Sequence, residues 1–207
     1  MAELSAGYPI EWTEALLVRE LRSGSDVAFD WLIEQYQQPV YNLVLRILGD
    51  PASAADTVQE VFLKVFRNIR TFRRSSSLKT WIYRIAVHEA SNQRRWWQRH
   101  WSRESSLEEL APGRLQTLGE IILDEQGTPY DCAVRDELAE QIERAIRQVS
   151  EPFRTAVLLR DIEGLNYEEM AEVLDVTLGT VKSRVARGRE ALRRLLEPLL
   201  ENGNGVR

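Results

Sequence analysis

The chain has 207 residues, 43% of them hydrophobic, with 11 Gly and 7 Pro; this supports one large or two small packed domains and excludes a disordered or fibrous chain. No apolar run approaches the roughly 20 residues that span a bilayer, MAELSAGYPIEWTE lacks the basic and apolar parts of a signal peptide, and Cys132 as single cysteine excludes intramolecular disulfides and Cys-rich zinc sites, so the sequence reads as cytoplasmic. The net charge of −5 is unevenly spread: residues 1–63 carry 3 Lys/Arg against 10 Asp/Glu, 64–103 carry 11 against 1, 104–143 carry 2 against 11, and 144–207 carry 11 against 10. Attraction to phosphate follows the local field rather than the sum. The pattern is two basic surfaces separated by an acidic connector.

In chain order, the periodicity predicts an all-α fold. Helices are expected over 12–23 and 26–48, the second carrying Phe29, Leu32, Ile33, Tyr36, Val40, Leu43, Val44 and Ile47, with a bend or break at Pro39. Asp50 and Pro51 suit the cap and first position of a helix over about 52–69 that buries Val58, Phe62, Val65 and Ile69 and leaves Asp56, Gln59, Glu60 and Lys64 outside. Arg73–Ser77 is a polar loop, and Ser76 or Ser77 caps a long helix from Leu78 to about His100. Periodicity fades from Arg103 to Tyr130 while Gly, Pro and acids accumulate, the mark of a linker. A second helical unit starts near Cys132, with Leu138, Ile142, Ile146 and Val149 on one stripe; Ser150-Glu151-Pro152 opens the next helix, which ends at Gly164.

Residues 166–194 then read as two helices joined by a tight turn. Asn166 and Glu169 have the spacing of a capping box, Met170, Ala171 and Leu174 form a buried face, and Thr177 caps the second helix of the pair. In that second helix Val181, Val185, Gly188, Leu192 and Leu195 form the inner stripe, leaving Lys182, Ser183, Ala186, Arg187 and Glu190 outside. This is the layout of a helix-turn-helix that enters a DNA major groove; the plainer alternative is a helical hairpin with a solvated basic face.

The long helix 78–100 carries charge and aromatics together. Arg84, His88, Asn92, Arg95 and Arg99 fall on one ridge, Trp81 and Tyr83 lie near its start, and Trp96, Trp97 and Trp101 near its end. Cations track a phosphate backbone while aromatic faces accept an unstacked base, a combination suited to single-stranded or partly melted DNA. Trp81 and Ile82 have a second reading as core. His88 and His100, without a nearby thiolate, do not suggest a metal site.

The order of these elements resembles the extracytoplasmic-function (ECF) group of bacterial sigma factors, over about residues 25–100 and 134–196. The stretches that carry it are Ala28–Leu32 with Tyr36, Asp56–Leu63, Ser76–Ala86 and Leu165–Arg189. The resemblance implies a region 2 domain at 12–102, an acidic linker at 103–131 and a region 4 domain at 132–200. It places Asp56, Gln59, Glu60, Phe62 and Lys64 on core RNA polymerase. It assigns the minus-ten element, melted by pulling a base from the stack, to Ser75, Ser76, Ser77, Leu78, Lys79, Trp81, Tyr83, Arg84, His88, Asn92 and Arg95. It assigns the minus-thirty-five element to Thr180, Lys182, Ser183, Arg184, Ala186, Arg187 and Arg189. Arg73-Arg74 stand where the family often has Gly and an acid, and His88 where it has Asn. Implied partners are core polymerase, promoter DNA as duplex and melted strand, and an anti-sigma protein of the kind that restrains many members; no cofactor, metal or membrane insertion is implied, and the free protein is expected to be a monomer. For the acidic linker three readings stand: a tether, a strand threading the polymerase channel, and a cover for the basic surfaces.

Rival functions fare less well. The sequence shows no P-loop, dinucleotide fingerprint or nucleophile elbow, so an enzyme is not expected. GTVKSRV also fits a stand-alone helix-turn-helix regulator, but a receiver domain needs alternating strands and helices, and none is visible.

Overall fold

The computed structural model of the chain describes residues 11–73, 76–101 and 129–203. Its regular structure among these residues is all helical. The first half gives α1 (Glu14–Ser23), α2 (Asp26–Leu48), α3 (Pro51–Asn68), which tightens into a 3-10 turn at Ile69–Thr71, and α4 (Leu78–Trp101). The second gives α5 (Pro129–Gln148), α6 (Glu151–Val157), α7 (Tyr167–Leu174) and α8 (Leu178–Gly203), with a π-helical turn at Leu158–Ile162 between α6 and α7. The acidic connector, with its three readings, lies outside the described residues.

Local chemistry starts and stops these helices. Thr13, Ser25 and Asp50 each accept a backbone N–H in the first turn of α1, α2 and α3, and Pro51 opens α3 where no N–H partner is needed. Hydrogen bonding to Ser53 holds the Asp50 carboxyl below its ordinary range despite some desolvation. Of the two candidate caps for α4, Ser77 is the one used: its Oγ accepts from Thr80 N at 3.0 Å. Gly24 and Gly49 end α1 and α2 at φ of 84° and 81°, a left-handed turn that a side chain would strain. The expected break at Pro39 is absent, and α2 runs unbroken through it. Leu32 and Val40 are buried on either side, so packing holds both halves of the helix in line, and exposed Gln35 can give its orphaned carbonyl to water.

In the first unit α2 packs on α3, α3 on α4, and α4 back on α2, around Leu32, Leu43, Ile47, Val61, Val65, Phe72, Leu78 and Ile82. In the second unit α6 and α8 meet closely, and the helix-turn-helix leans on Leu158, Leu159, Leu165 and Met170. The register of α5 differs from expectation. Its inner side is Ala139, Glu143 and Ile146, whereas Leu138 is 48% exposed and Ile142 half-buried. The reason is the member of that stripe that is not apolar: Glu143 is buried against Arg46 of α2 at 2.7 Å, with side-chain exposures of 3% and 1%.

That ion pair joins the two units. Beside it, Arg154 of α6 donates through Nη2 to the Ile47 carbonyl at the end of α2 and through Nη1 to the Arg147 carbonyl at the end of α5. One guanidinium thus bonds C-terminal carbonyls of two helices. Burial, with Arg94 nearby, pulls its pKa down to about 10, still cationic at neutral pH. The hydrophobic core continues across the seam, from Leu17 in α1 to Val185 in α8.

α6 and α8 approach closely at Gly188, on the inner stripe of α8. A Cβ there would lie 2.5 Å from Val157 Cγ2 and 2.7 Å from the Phe153 carbonyl oxygen. Because one neighbour is backbone, Gly188→Ala is expected to destabilise the fold by about 1–3 kcal/mol, read as a lower urea midpoint with an unchanged slope.

Candidate nucleic-acid interface

The C-terminal hairpin is built as its sequence pattern requires. Asn166 Oδ1 accepts from Glu169 N at 2.8 Å while Glu169 Oε2 accepts from Asn166 N at 2.8 Å, a complete capping box. Asp175 closes α7 at φ 51°, the left-handed conformation that Asp tolerates better than most residues, and Thr177 Oγ1 accepts from Thr180 N at 3.3 Å to start α8. Val181, Val185 and Gly188 are buried, so Lys182, Ser183, Ala186 and Arg187 all lie exposed on the opposite side. Arg187 stands 5.8 Å over the Phe153 ring and Lys182 6.0 Å over Tyr167; aromatic faces thus support both cations without neutralising them. The remaining candidates differ. Arg189 forks onto Asp161 at 2.5 and 3.1 Å, Thr180 is half-buried with its hydroxyl 2.9 Å from Thr177, and Arg184 lines a cleft shared with α4.

Along α4 the polar ridge is present: Arg84, His88, Arg95 and Arg99 are exposed and Asn92 half-exposed. It is internally ordered, with Asn92 Nδ2 and His88 Nδ1 3.1 Å apart and Arg95 Nη2 donating to Asn92 Oδ1 at 2.6 Å. Lys64 of α3 reaches Glu89 at 2.6 Å. Trp96 is 46% exposed, edge-on to Trp97 and stacked on His100 at 4.7 Å. Trp81 is half-buried with its ring 5.2 Å from Phe72, so it is partly core and partly wall. A cleft of roughly 1250 Å³ runs between this ridge and the second unit, with Trp81, Arg84, His88 and Arg95 on one side and Asp175 and Arg184 on the other. Ser75 and Arg74 lie outside the described residues; Ser76 and Ser77 are half-buried at the head of α4.

Leu78 and Tyr83 depart from the expectation of an open DNA-reading face, since each is 1% exposed. The second unit covers the start of α4. Tyr83 donates its hydroxyl to Glu163 Oε2 at 2.5 Å, Lys79 Nζ donates to the Glu163 carbonyl at 2.7 Å, and Thr80 Oγ1 donates to Glu169 Oε1 at 3.3 Å. Burial raises the pKa of the Tyr83 phenol, as does the Glu163 charge, and burial raises that of Glu163.

A third surface lies on α2 and α3. Asp56, Gln59 and Glu60 are exposed and Phe62 and Lys64 half-buried. Beside them an apolar groove of about 400 Å³ is walled by Phe29, Ile33, Phe62, Leu63 and Phe66, of which Ile33, Leu63 and Phe66 are 38%, 43% and 58% exposed. The sequence pattern sets Ile33 in the apolar series of α2, marks Leu63 only as the end of the Asp56–Leu63 stretch and leaves Phe66 unmarked. The signal was available: Val61, Phe62, Leu63, Val65 and Phe66 are more apolar side chains than one buried stripe of α3 can use.

An all-helical pair of units, one ending in a helix-turn-helix and the other presenting a basic aromatic-lined helix, defines a class of DNA-binding transcription protein. Residues 32–100 match the family of sigma-70 region 2 and residues 139–192 that of sigma-70 region 4. The chain is 36% identical over 184 residues to the RNA polymerase sigma-H factor of Pseudomonas aeruginosa, covering 89% of this chain and 94% of that protein. It is 35% identical over 188 residues to the ECF RNA polymerase sigma-E factor of Escherichia coli K12, covering 91% and 96%. Solved structures with the same fold include the sigma factor RpoE of Bartonella quintana in complex with the anti-sigma factor NepR (TM-score 0.64, 23% identity, 82% of this chain and 96% of that one). Another is CnrH with the cytosolic domain of CnrY (TM-score 0.61, 20% identity, 89% and 97%). The chain belongs to the sigma-70 family, as an alternative sigma factor of the ECF type. No described helix is long and apolar enough to cross a membrane.

The raised Glu163 pKa has a definite sign. A carboxyl that holds its proton more tightly when folded costs nothing below its unfolded pKa and destabilises the fold increasingly as pH rises toward the folded value. Glu163→Gln removes that cost. Thermal midpoints measured from about pH 4 to about pH 8 are expected to show the unmodified chain losing ground to the variant as pH rises; a constant difference would contradict the assignment.

Proposed function

We propose that this sigma factor docks on core RNA polymerase through α3 and the apolar groove beside it, reads and melts the minus-ten element with α4, and reads the minus-thirty-five element with α8. The observation that carries the reading is the outward face of α8, where Lys182, Ser183, Ala186 and Arg187 are held exposed by a buried Val181–Val185–Gly188 stripe, within a chain that matches both sigma-70 regions. Arg187 and Lys182 supply base-edge or phosphate contacts and Ser183 and Ala186 the close approach; Thr180, Arg184 and Arg189 support them from the rim. On the docking face, Asp56, Gln59, Glu60 and Lys64 ring the apolar contact made by Phe62, Ile33, Leu63 and Phe66, a polar rim around a desolvated centre.

For the minus-ten element, Arg84, His88, Asn92 and Arg95 line the strand path. Trp81 and the head of the helix at Ser76, Ser77 and Lys79 form the pocket for an extruded base, whose stacking returns roughly 1–3 kcal/mol of the few spent on unstacking. Catalysis of RNA synthesis belongs to the polymerase, and the protein works in the cytoplasm, where polymerase and promoter are found. Because the fold is shared with a sigma factor seen bound to an anti-sigma factor, an anti-sigma partner is part of the proposal.

Mixing the purified protein with core polymerase and mapping transcript starts on a genomic library tests the whole reading. Discrete starts sharing two upstream elements are expected, and the absence of both starts and co-elution with core polymerase would overturn it. Arg187→Ala is expected to weaken use of those promoters by about 1–3 kcal/mol with an unchanged melting temperature. Phe66→Asp, at a surface site, is expected to leave folding intact and abolish co-elution with core polymerase; normal co-elution would remove the groove from the docking surface.

A further inference from the structure

Arg187 is held differently from the arginines that follow it on α8. Arg189 is paired with Asp161, and Arg193 and Arg194 with Glu190. Among the described residues Arg187 has no ion pair or hydrogen bond, and its guanidinium lies 5.8 Å over the Phe153 ring. A carboxylate partner would take up the N–H donors that a base edge needs. A ring attracts the cation through its negative face and leaves those donors unpaired. We propose that Phe153 is a positioning residue for promoter reading: its ring sets the Arg187 guanidinium in one orientation, so that Arg187 discriminates a base rather than only holding a phosphate. The inference rests on the assignment of α8 to the minus-thirty-five element.

The platform is fixed from two sides. Arg154, the next residue, is buried and bonds the Ile47 and Arg147 carbonyls, which sets the rotation of α6. On the other side Gly188, beside Arg187 in the chain, has no side chain, so the Phe153 carbonyl oxygen comes within 2.7 Å of where a Cβ would stand. The glycine that lets α6 approach α8 thereby brings the half-buried ring of Phe153 under the neighbouring arginine. Orientation matters for one kind of contact only. Bidentate bonding to guanine O6 and N7 needs the planar fork presented in a set direction, whereas phosphate attracts a cation without regard to sequence. A free arginine gives up its rotamers on binding, and one already resting on a ring has given up part of them beforehand. Lys182 shares the Tyr167 ring with Arg160, at 6.0 and 4.9 Å, and is a point charge without a fork, so the same device carries no such selectivity there.

Phe153→Leu, which keeps an apolar side chain and removes the ring, and Phe153→Tyr, which keeps the ring, test this in the full chain assembled with core polymerase. The readout is transcription from the mapped promoter and from versions with each minus-thirty-five base pair changed in turn, with thermal midpoints of the free protein measured alongside. Arg187→Ala identifies the base pair that Arg187 reads. At that pair alone Phe153→Leu is expected to lower discrimination about two- to fivefold, and Phe153→Tyr to retain it. In the Arg187→Ala background Phe153→Leu is expected to add nothing, since the two side chains act as a unit. Phe153→Met takes the place of Phe153→Leu should the latter fail to fold. Unchanged discrimination without the ring, an equal loss at every base pair, an equal loss in Phe153→Tyr, or a loss that persists without Arg187 overturns the proposal while the minus-thirty-five assignment stands. An Arg187→Ala protein that discriminates normally removes Arg187 from the reading face, and the inference with it.

Discussion

Arg46 and Glu143 each sit on the inner stripe of a helix, where a neighbour in the bundle would ordinarily demand an apolar side chain. Neither is tolerable there alone, since an unpaired buried charge is strongly destabilising. Each becomes tolerable only when α5 is laid on α2 in one register, with the two carriers 2.7 Å apart. Arg154 then finds the ends of both helices within reach of one guanidinium. Through α5 and α6 this register is passed to α8, which packs on both. The direction in which the recognition helix faces is thus tied to an ion pair in the first half of the chain.

The surfaces fall into an order of accessibility set by this packing. The apolar groove on α2 and α3 and the outer face of α8 look outward, the ridge of α4 opens onto a cleft, and the head of α4 is covered. The block at 64–103 is the most basic in the chain, and its Arg84 and Arg95 line the cleft between the two units.

Much of the fold was legible because its signals are local. The caps at Asp50, Ser77, Asn166 and Thr177, the stripe of α8 and the ridge of α4 depend on residues within a few positions of each other. The features that were not legible depend on the seam. Pro39 stays helical because packing outweighs one lost hydrogen bond. Leu138 faces water because the stripe of α5 is centred on a glutamate that hydropathy scores as surface. Tyr83 and Leu78 join the minus-ten set only through their place in a family pattern; Leu78 lies in the core of the first unit, and Tyr83 meets Glu163 of the second, distant in sequence. The exposed Phe66 shows the converse: the sequence reading buries Phe62 and leaves Phe66 unmarked, whereas apolar residues in surplus of one stripe form an outer face.

Glu169 has one oxygen on the Asn166 amide and the other on the Thr80 hydroxyl. The side chain that starts the first helix of the hairpin is therefore also a contact to the neighbouring unit, so local folding and seating are not separable properties at this position. Residues 166–194 are consequently a poor cassette. Transplanted onto another helical scaffold, the hairpin would keep its cap and its reading face, but the carboxylate that aims it would point at nothing, and its orientation would have to be supplied anew.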